Sequence, residues 1–367
     1  MESKEPIIDM HDTWLVINSI QGCTNGCKYC FLQGINNNLT YPQIIVPAEE
    51  VVEKLLSYKY YDSKIPICLL PGTDAFLNAT NINYMHQLLN IIDKKEISNP
   101  IVLITKCLIP DNILDDLERL TKKGKEIIVF LSYSGLTSKY EPNIKKDNII
   151  LNFKHLAARG VRIIHYYRPF IPENSSAKQI TEMLDFVDNY TKVSQIGGLK
   201  LRSDFIDKID IVDLKQHSKE ELLNASCIWP KEAYDYFYHD YNHPHSVFQT
   251  NQCAIAQTLE KACPQFYGTY ECHNYNHCSK EQRIRCAQAK KIQEQDLITQ
   301  LKYYLKKLNI TNYEIIEEKN NIILKGEELT TSDAAYLTIV LGYKITIEND
   351  DDKHFKSSMT NSKPLIY

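Results

Sequence analysis

Residues 14–30 read Trp14-Leu15-Val16-Ile17-Asn18-Ser19-Ile20-Gln21-Gly22-Cys23-Thr24-Asn25-Gly26-Cys27-Lys28-Tyr29-Cys30. An apolar run, Trp14 to Ile20, leads straight into three cysteines spaced C-x3-C-x2-C. The run predicts a strand, so the cysteines fall on the loop that leaves its end. Such a loop can fold three thiolates around one point. Gly22 and Gly26 suit its tight turns. Tyr29 and Phe31 can shield the sulfurs from water and tune a potential. A closed structural zinc site takes four ligands, and a 4Fe–4S cluster normally takes four cysteines. Three cysteines leave one iron open to an outside ligand, which points to a reactive cluster. Zinc, or cysteines grouped by chance, is the plainer alternative.

The chain has 367 residues, long enough to bury a large core and to hold two or three units. Its 42 basic and 46 acidic residues leave it weakly acidic, with no Lys/Arg run. That argues against tight, sequence-independent binding to a phosphate backbone. The first residues, MESKEPIIDM, do not read as a signal peptide. No apolar run approaches the roughly 20 residues of a membrane span. The 11 cysteines without a secretion signal point to a reducing cytoplasm and metal chemistry rather than disulfides.

Strands are expected at 14–20, 67–70, 101–105, 127–132, 162–167 and 195–201. Helical patterns lie between them. Pro47–Tyr58 repeats Val51, Val52, Leu55 and Leu56 behind an N-terminal proline. Asn81–Ile92 places Met85, Leu88, Leu89 and Ile92 on one face. Asp111 caps a third helix, which Gly124 ends. Asn152–Arg159 closes at Gly160, and Ser176–Tyr190 carries Ile180, Leu184 and Val187. This alternation predicts a parallel sheet with helices outside.

The motif, with an aromatic residue before its last cysteine, resembles that of the radical S-adenosylmethionine (radical SAM) superfamily. The resemblance implies a partial (β/α)6 TIM-type barrel and a 4Fe–4S cluster on Cys23, Cys27 and Cys30. S-adenosyl-L-methionine would complete the open iron. An electron from the cluster would split its sulfonium and yield a 5'-deoxyadenosyl radical. Gly72-Thr73-Asp74, Ile104-Thr105-Lys106, Glu141-Pro142 and the segment from Gly160 to Pro172 are similar in order to the spore-photoproduct-lyase-like branch. That likeness covers residues 14 to about 205. The DNA-lesion substrate of that branch does not carry over, because no DNA-binding feature accompanies it.

In such barrels the site lies at the C-terminal ends of the strands. The turn Gly72, Thr73 and Asp74 stands where the family holds the cofactor's amino group, though in different wording. Ser132 and Ser134 are spaced to one side of a strand and suit the cofactor's ribose or carboxylate. Arg168 suits a bidentate carboxylate clamp. The bland readings are an ordinary turn and a surface arginine. Lys106 is expected to line the cavity or to pair with Asp74. Cys107, as a hydrogen-atom donor, and Tyr166 are weaker catalytic candidates, since buried cysteines are usually inert packing.

Residues 216–288 form a second expected unit, rich in cysteine and tyrosine. Cys263, Cys272, Cys278 and Cys286 are candidates for an auxiliary iron–sulfur cluster or a zinc ion. The alternative is a tyrosine-rich lobe with unligated thiols. From Ala287 the pattern predicts one helix to Leu308, a hairpin with its turn at Lys319–Asn321, a helix capped by Ser332 or Thr331, and a strand at 343–347. This is a small α+β C-terminal unit, spanning 289–349. Residues 1–12 are expected as a lead-in, 13–215 as the barrel core, and 350–367 as a disordered polar tail.

The sequence therefore predicts a cytoplasmic radical SAM enzyme that takes a hydrogen atom from a small-molecule or nucleoside-type substrate. Its electron donor would be a flavodoxin or ferredoxin. Nucleic-acid lesion repair, peptide modification with an auxiliary cluster, and a non-catalytic metal-binding protein are the alternatives.

Overall fold

Ile101–Thr105 reads IVLIT and Ile127–Leu131 reads IIVFL, with no polar alternation. Such runs suit parallel strands covered on both faces. The computed structural model describes residues 6–33, 41–201, 206, 217–225, 227–264, 277–293, 296–318, 321–348 and 364–367. The chain runs β1 (Ile8–Met10), β2 (Leu15–Ile17), β3 (Ile20–Gln21), β4 (Gln43–Ile44), α1 (Ala48–Leu56), β5 (Ile67–Leu69), α2 (Ala79–Lys94), β6 (Ile101–Thr105), α3 (Asp111–Lys122), β7 (Ile127–Leu131), α4 (Lys146–Ala158), β8 (Arg162–Phe170), α5 (Ala177–Val187) and β9 (Val193–Gly198). It continues through α6 (Lys219–Asn224), β10 (Ile228–Trp229), α7 (Lys231–Asp235), β11 (Ser246–Phe248), α8 (Asn251–Thr258), α9 (Lys280–Gln293), α10 (Leu297–Lys307), β12 (Glu314–Glu318), β13 (Asn321–Lys325), α11 (Thr331–Leu341), β14 (Ile345–Ile347) and β15 (Leu365–Ile366).

The main sheet has eight strands in the order β1-β2-β5-β6-β7-β8-β9-β11. β1 is antiparallel to β2, and every other neighbouring pair is parallel. This is a mixed α/β fold consistent with a partial TIM-type barrel. Among the described residues the edges β1 and β11 do not pair, so no closed barrel forms. On the outer face, Leu15, Ile67, Leu103 and Val129 join one core with residues of α1 to α4. On the inner face, Val16, Cys68, Val102, Phe130, Ile164 and Phe248 join Cys253 to Ala256 of α8 in a second.

Several expectations shift. The predicted first strand stops at Ile17; Asn18 and Ser19 separate it from β3, which pairs with β4. The lead-in contributes β1. The predicted lobe at 216–288 sends β11 into the main sheet and α8 onto its inner face, and no separate lobe is formed by its described residues. The predicted helix to Leu308 is two helices, α9 and α10, with Asp296 at the second start. α11 is capped by Thr330, whose side chain accepts from the Asp333 N–H, rather than by Thr331 or Ser332. β12, β13 and β14 form a small sheet, while the predicted turn residues Lys319 and Asn320 lie outside the described residues. Leu365 and Ile366, expected in a disordered tail, pair with β10. Among the described residues no helix is long and apolar enough to cross a membrane.

Candidate functional site

The cysteine loop is bound to its neighbours at both ends. Gly22 and Gly26 adopt φ of 104° and 69°, left-handed values that glycine adopts without strain. Thr73 donates its hydroxyl to the Gly22 carbonyl at 2.5 Å. Asn143 donates to the Thr24 carbonyl at 2.8 Å, and the Lys28 N–H donates to the Tyr140 carbonyl at 3.0 Å. Within the loop the Cys30 N–H meets the Cys27 carbonyl at 3.1 Å. Cys23, Cys27 and Cys30 thereby come to the wall of one cavity of about 160 Å³, at the C-terminal ends of β2, β5, β6 and β7. Thr73, Asp74, Lys106 and Ser132 share that wall.

None of these cysteines is in a disulfide. Burial pushes the Cys23 thiol up to about 11 and the Cys27 thiol up to about 12, with Lys106 pulling the latter the other way. A metal that binds here must displace their protons. Three sulfurs on one cavity wall are a donor set that suits an iron–sulfur cluster with one open iron. They are not drawn together on one point. Among the described residues no group of three or more histidine, cysteine or acidic side chains is placed to hold a metal ion.

Two buried carboxylates hold the cavity in shape. Asp74 Oδ1 accepts from the Thr105 hydroxyl at 2.7 Å and from the Phe76 N–H at 3.1 Å; its Oδ2 accepts from the Lys106 N–H at 2.7 Å. It ties the turn after β5 to the end of β6. Glu141 Oε1 accepts from Lys106 Nζ at 2.8 Å, from Ser134 Oγ at 2.8 Å and, closely, from the Tyr29 hydroxyl. Burial alone would raise the Glu141 carboxyl, but Lys106 and these hydrogen bonds bring it below its usual range. The Lys106 ammonium resists the downward push of burial, and Glu141 and Cys27 raise it instead. The Tyr29 phenol is held well above its usual value by burial and by Glu141, so it stays a donor.

The predicted residues divide. Thr73, Asp74 and Ser132 line the cavity. Gly72 lies within the turn, its N–H donating to Asn18 at 3.2 Å. Asp74 is engaged by Thr105 and backbone rather than by the Lys106 ammonium, which pairs with Glu141 instead. Ser134 is fully buried, and its hydroxyl is committed to Glu141. Cys107 lies 3.7 Å from the Asn25 side chain, beside the cysteine loop rather than on the cavity wall. Tyr166 packs edge-on against Phe130 with ring centroids 5.3 Å apart. Arg168 lies over the Tyr166 ring and is not on the cysteine cavity wall. Glu141 is the residue that sequence reasoning undervalued. Its sequence signal was the Glu141-Pro142 pair, which gave no indication of its buried donors.

No family model and no curated protein matches the chain. Solved structures do. A spore photoproduct lyase mutant with bound AdoMet and dinucleoside spore photoproduct is similar at 12% identity and a TM-score of 0.44, over 56% of this chain and 63% of that one. The lyase complexed with the dinucleoside spore photoproduct matches at 13% identity and a TM-score of 0.46, over 60% of this chain and 68% of that one. Streptococcus suis SuiB bound to S-adenosylmethionine matches at 22% identity and a TM-score of 0.40, over 55% of this chain and 44% of that one.

The second cysteine group is partly described. Cys272 lies outside the described residues. Cys263 and Cys286 are buried and meet where the Cys263 N–H donates to Cys286 Sγ at 3.2 Å. Cys278 packs on the same cluster. Cys253, from α8, joins them with its sulfur 3.3 Å from that of Cys263. These residues press on the inner face of the main sheet.

Proposed function

We propose that this chain is a radical S-adenosylmethionine enzyme. One observation carries the reading: three thiols spaced C-x3-C-x2-C share one cavity wall at the C-terminal end of a parallel sheet. That end is where α/β folds of this kind assemble their sites. Cys23, Cys27 and Cys30 would hold a 4Fe–4S cluster. The turn through Thr73 and Asp74, with Ser132, would hold S-adenosyl-L-methionine beside it. When bound, the pair supplies a one-electron cleavage whose product radical takes a hydrogen atom from the substrate.

The chain's own groups support that chemistry in three ways. Burial of Cys23 and Cys27 shields their sulfurs from water, in keeping with the dry site a reactive radical requires. The Lys106 ammonium, fixed by Glu141, puts a positive charge beside Cys27 and offsets the negative charge of thiolate ligands. Tyr29 keeps its proton and holds its ring against the loop by donating to Glu141. The substrate is a small molecule or nucleoside-type metabolite, in keeping with a weakly acidic chain. A flavodoxin- or ferredoxin-type protein supplies the electron, and the working compartment is the cytoplasm.

The test is iron and acid-labile sulfide per chain on anaerobically purified protein, beside a Cys23→Ala/Cys27→Ala/Cys30→Ala variant. About four irons in the parent, lost in the variant, is the expected result. Zinc in place of iron would sink the radical reading.

A further inference from the structure

The cysteine loop has an outer side as well as a cavity side. Cys23, Cys27 and Cys30 lie on the cavity wall, whereas Thr24 and Lys28 are exposed and stand outside that wall. Residues 139–146 pack against the loop there. The Lys28 N–H donates to the Tyr140 carbonyl at 3.0 Å, and Asn143 donates to the Thr24 carbonyl at 2.8 Å. A Cβ at Gly26 would lie 3.3 Å from Pro142 Cγ. Pro142 and Asn143 are themselves exposed. The sulfurs therefore lie close beneath solvent on this side: Lys28 directly follows Cys27, and Cys30 is only half-buried.

This face is basic in a chain whose net charge is -4. Lys28, Lys139 and Lys145 are exposed, and Lys146 is half-buried. Lys139 Nζ lies 4.8 Å over the ring of Tyr140, the residue whose carbonyl holds the Lys28 backbone. Lys145 is the N-cap of α4 and Lys146 its first residue. A helix N-terminus is the positive end of its dipole and favours acidic residues. Two lysines there oppose the dipole and add to the positive potential of the face. Lys146 donates to the Gly135 carbonyl at 2.9 Å. Three acidic residues adjoin the face. Glu141 is buried and paired with Lys106, Glu173 accepts from the Thr137 N–H, and Asp147 stands in the first turn of α4. Four lysines against Asp147 and Glu173 leave positive charge in excess. With no Lys/Arg run elsewhere to extend it, so compact a face suits an acidic protein better than a phosphate backbone.

We propose that Lys28, Lys139, Lys145 and Lys146 form the docking face for a small acidic electron-carrier protein of the flavodoxin or ferredoxin type. The inference rests on the radical-enzyme reading of the cavity and adds where its partner binds. The reduced carrier gives up one electron and the group held by the cysteines takes it up; no bond forms or breaks. Complementary charge speeds the encounter and sets the register of such a complex, and salt weakens it. Substrate and electron then reach the cysteines from different sides of the loop.

The experiment measures binding of a flavodoxin to the full-length, anaerobically purified protein by surface plasmon resonance, at low and at physiological ionic strength. Lys28→Glu, Lys28→Gln, Lys139→Glu and Lys145→Glu are measured beside it, with Lys94→Glu, exposed at the end of α2, as the control. Folding is checked by thermal melting, and iron is assayed on every sample. The proposal expects the parent to bind, with salt weakening the complex. It expects a loss of about fivefold or more in each of the three Glu variants of the face, a smaller loss in Lys28→Gln, and parent-like binding in Lys94→Glu. Parent-level iron in the variants would show that the loss belongs to the face and not to a damaged loop. No binding to the parent, no salt dependence, or parent-like binding in the Glu variants of the face overturns the proposal. So does a single-stranded oligonucleotide that binds this face more tightly than the flavodoxin. The iron assay reports on the radical reading and the binding assay on the face: iron present with unchanged binding in the Glu variants removes the docking face alone, and a parent without iron removes both.

Discussion

Glu141 is the residue on which the cavity turns. Its carboxylate is almost fully buried, its Lys106 partner is nearly so, and three donors share one oxygen. Removing one member of a buried ion pair strands the other charge, at a cost of about 3–5 kcal/mol. Glu141→Gln should lose stability of that order by denaturant unfolding, and Lys106→Met/Glu141→Gln should recover part of it. A single-variant loss under about 1 kcal/mol would show that the pair is solvated. Gly26→Ala should impair the loop as well. Its backbone is left-handed, and the new Cβ would lie 3.3 Å from Pro142 Cγ. We expect about 1–2 kcal/mol of strain and a lower iron content after reconstitution; parent-level iron would contradict this. The cysteines were legible because their spacing is local. Glu141 was not, because its donors lie 112, 35 and 7 residues away in sequence. Only the fold brings them together.

At the scale of elements, β8 and β9 hold the far side of the sheet through two histidines. His165 donates to the Tyr133 carbonyl at 2.8 Å, and the Ser194 hydroxyl bridges His165 Nδ1 and His245 Nε2 at 2.9 and 2.8 Å. Burial lowers His165 from 6.5 to about 3 and His245 from 6.5 to about 4. A depressed histidine in the folded state stabilises fully above the unfolded value of 6.5. That stability is lost as pH falls from 6.5 toward the folded values. The melting temperature should therefore drop between pH 6.5 and 4, and His165→Gln should flatten the slope; an unchanged slope would contradict it. The end of β9 is equally constrained. A Cβ at Gly198 would lie 2.3 Å from the Ile228 carbonyl oxygen. Gly198→Ala should break the bridge between Leu199 and Ile228, read as faster proteolysis near 217–228. Parent-like resistance would contradict that. The six central strands were legible from their β-branched runs. β11 was not, because Ser246–Phe248 is three residues set among histidines, and only its pairing with β9 makes it a strand.

At the scale of the molecule, the C-terminal α+β unit is built onto the outer layer. Leu301, Leu324 and Tyr336 share one core with Val51, Tyr60 and Ile65. Tyr60 donates to Asp333 at 2.7 Å, and its ring lies 5.5 Å from that of Tyr336. Its helices could be read from sequence; this seam could not, since it joins residues more than 270 positions apart. Ending the chain at residue 295 should expose that apolar face and yield aggregated protein, checked by size-exclusion chromatography. A soluble monomer with the parent's melting temperature would contradict it. The outer layer thus braces the sheet whose strand ends carry the cysteines, and the central claim concerns what those cysteines do. It is tested most directly by incubating the reconstituted, dithionite-reduced protein with S-adenosylmethionine and quantifying 5'-deoxyadenosine. The account predicts its formation by the parent and its absence in Cys23→Ala/Cys27→Ala/Cys30→Ala. Equal amounts from both, or none from an iron-loaded parent, would contradict it.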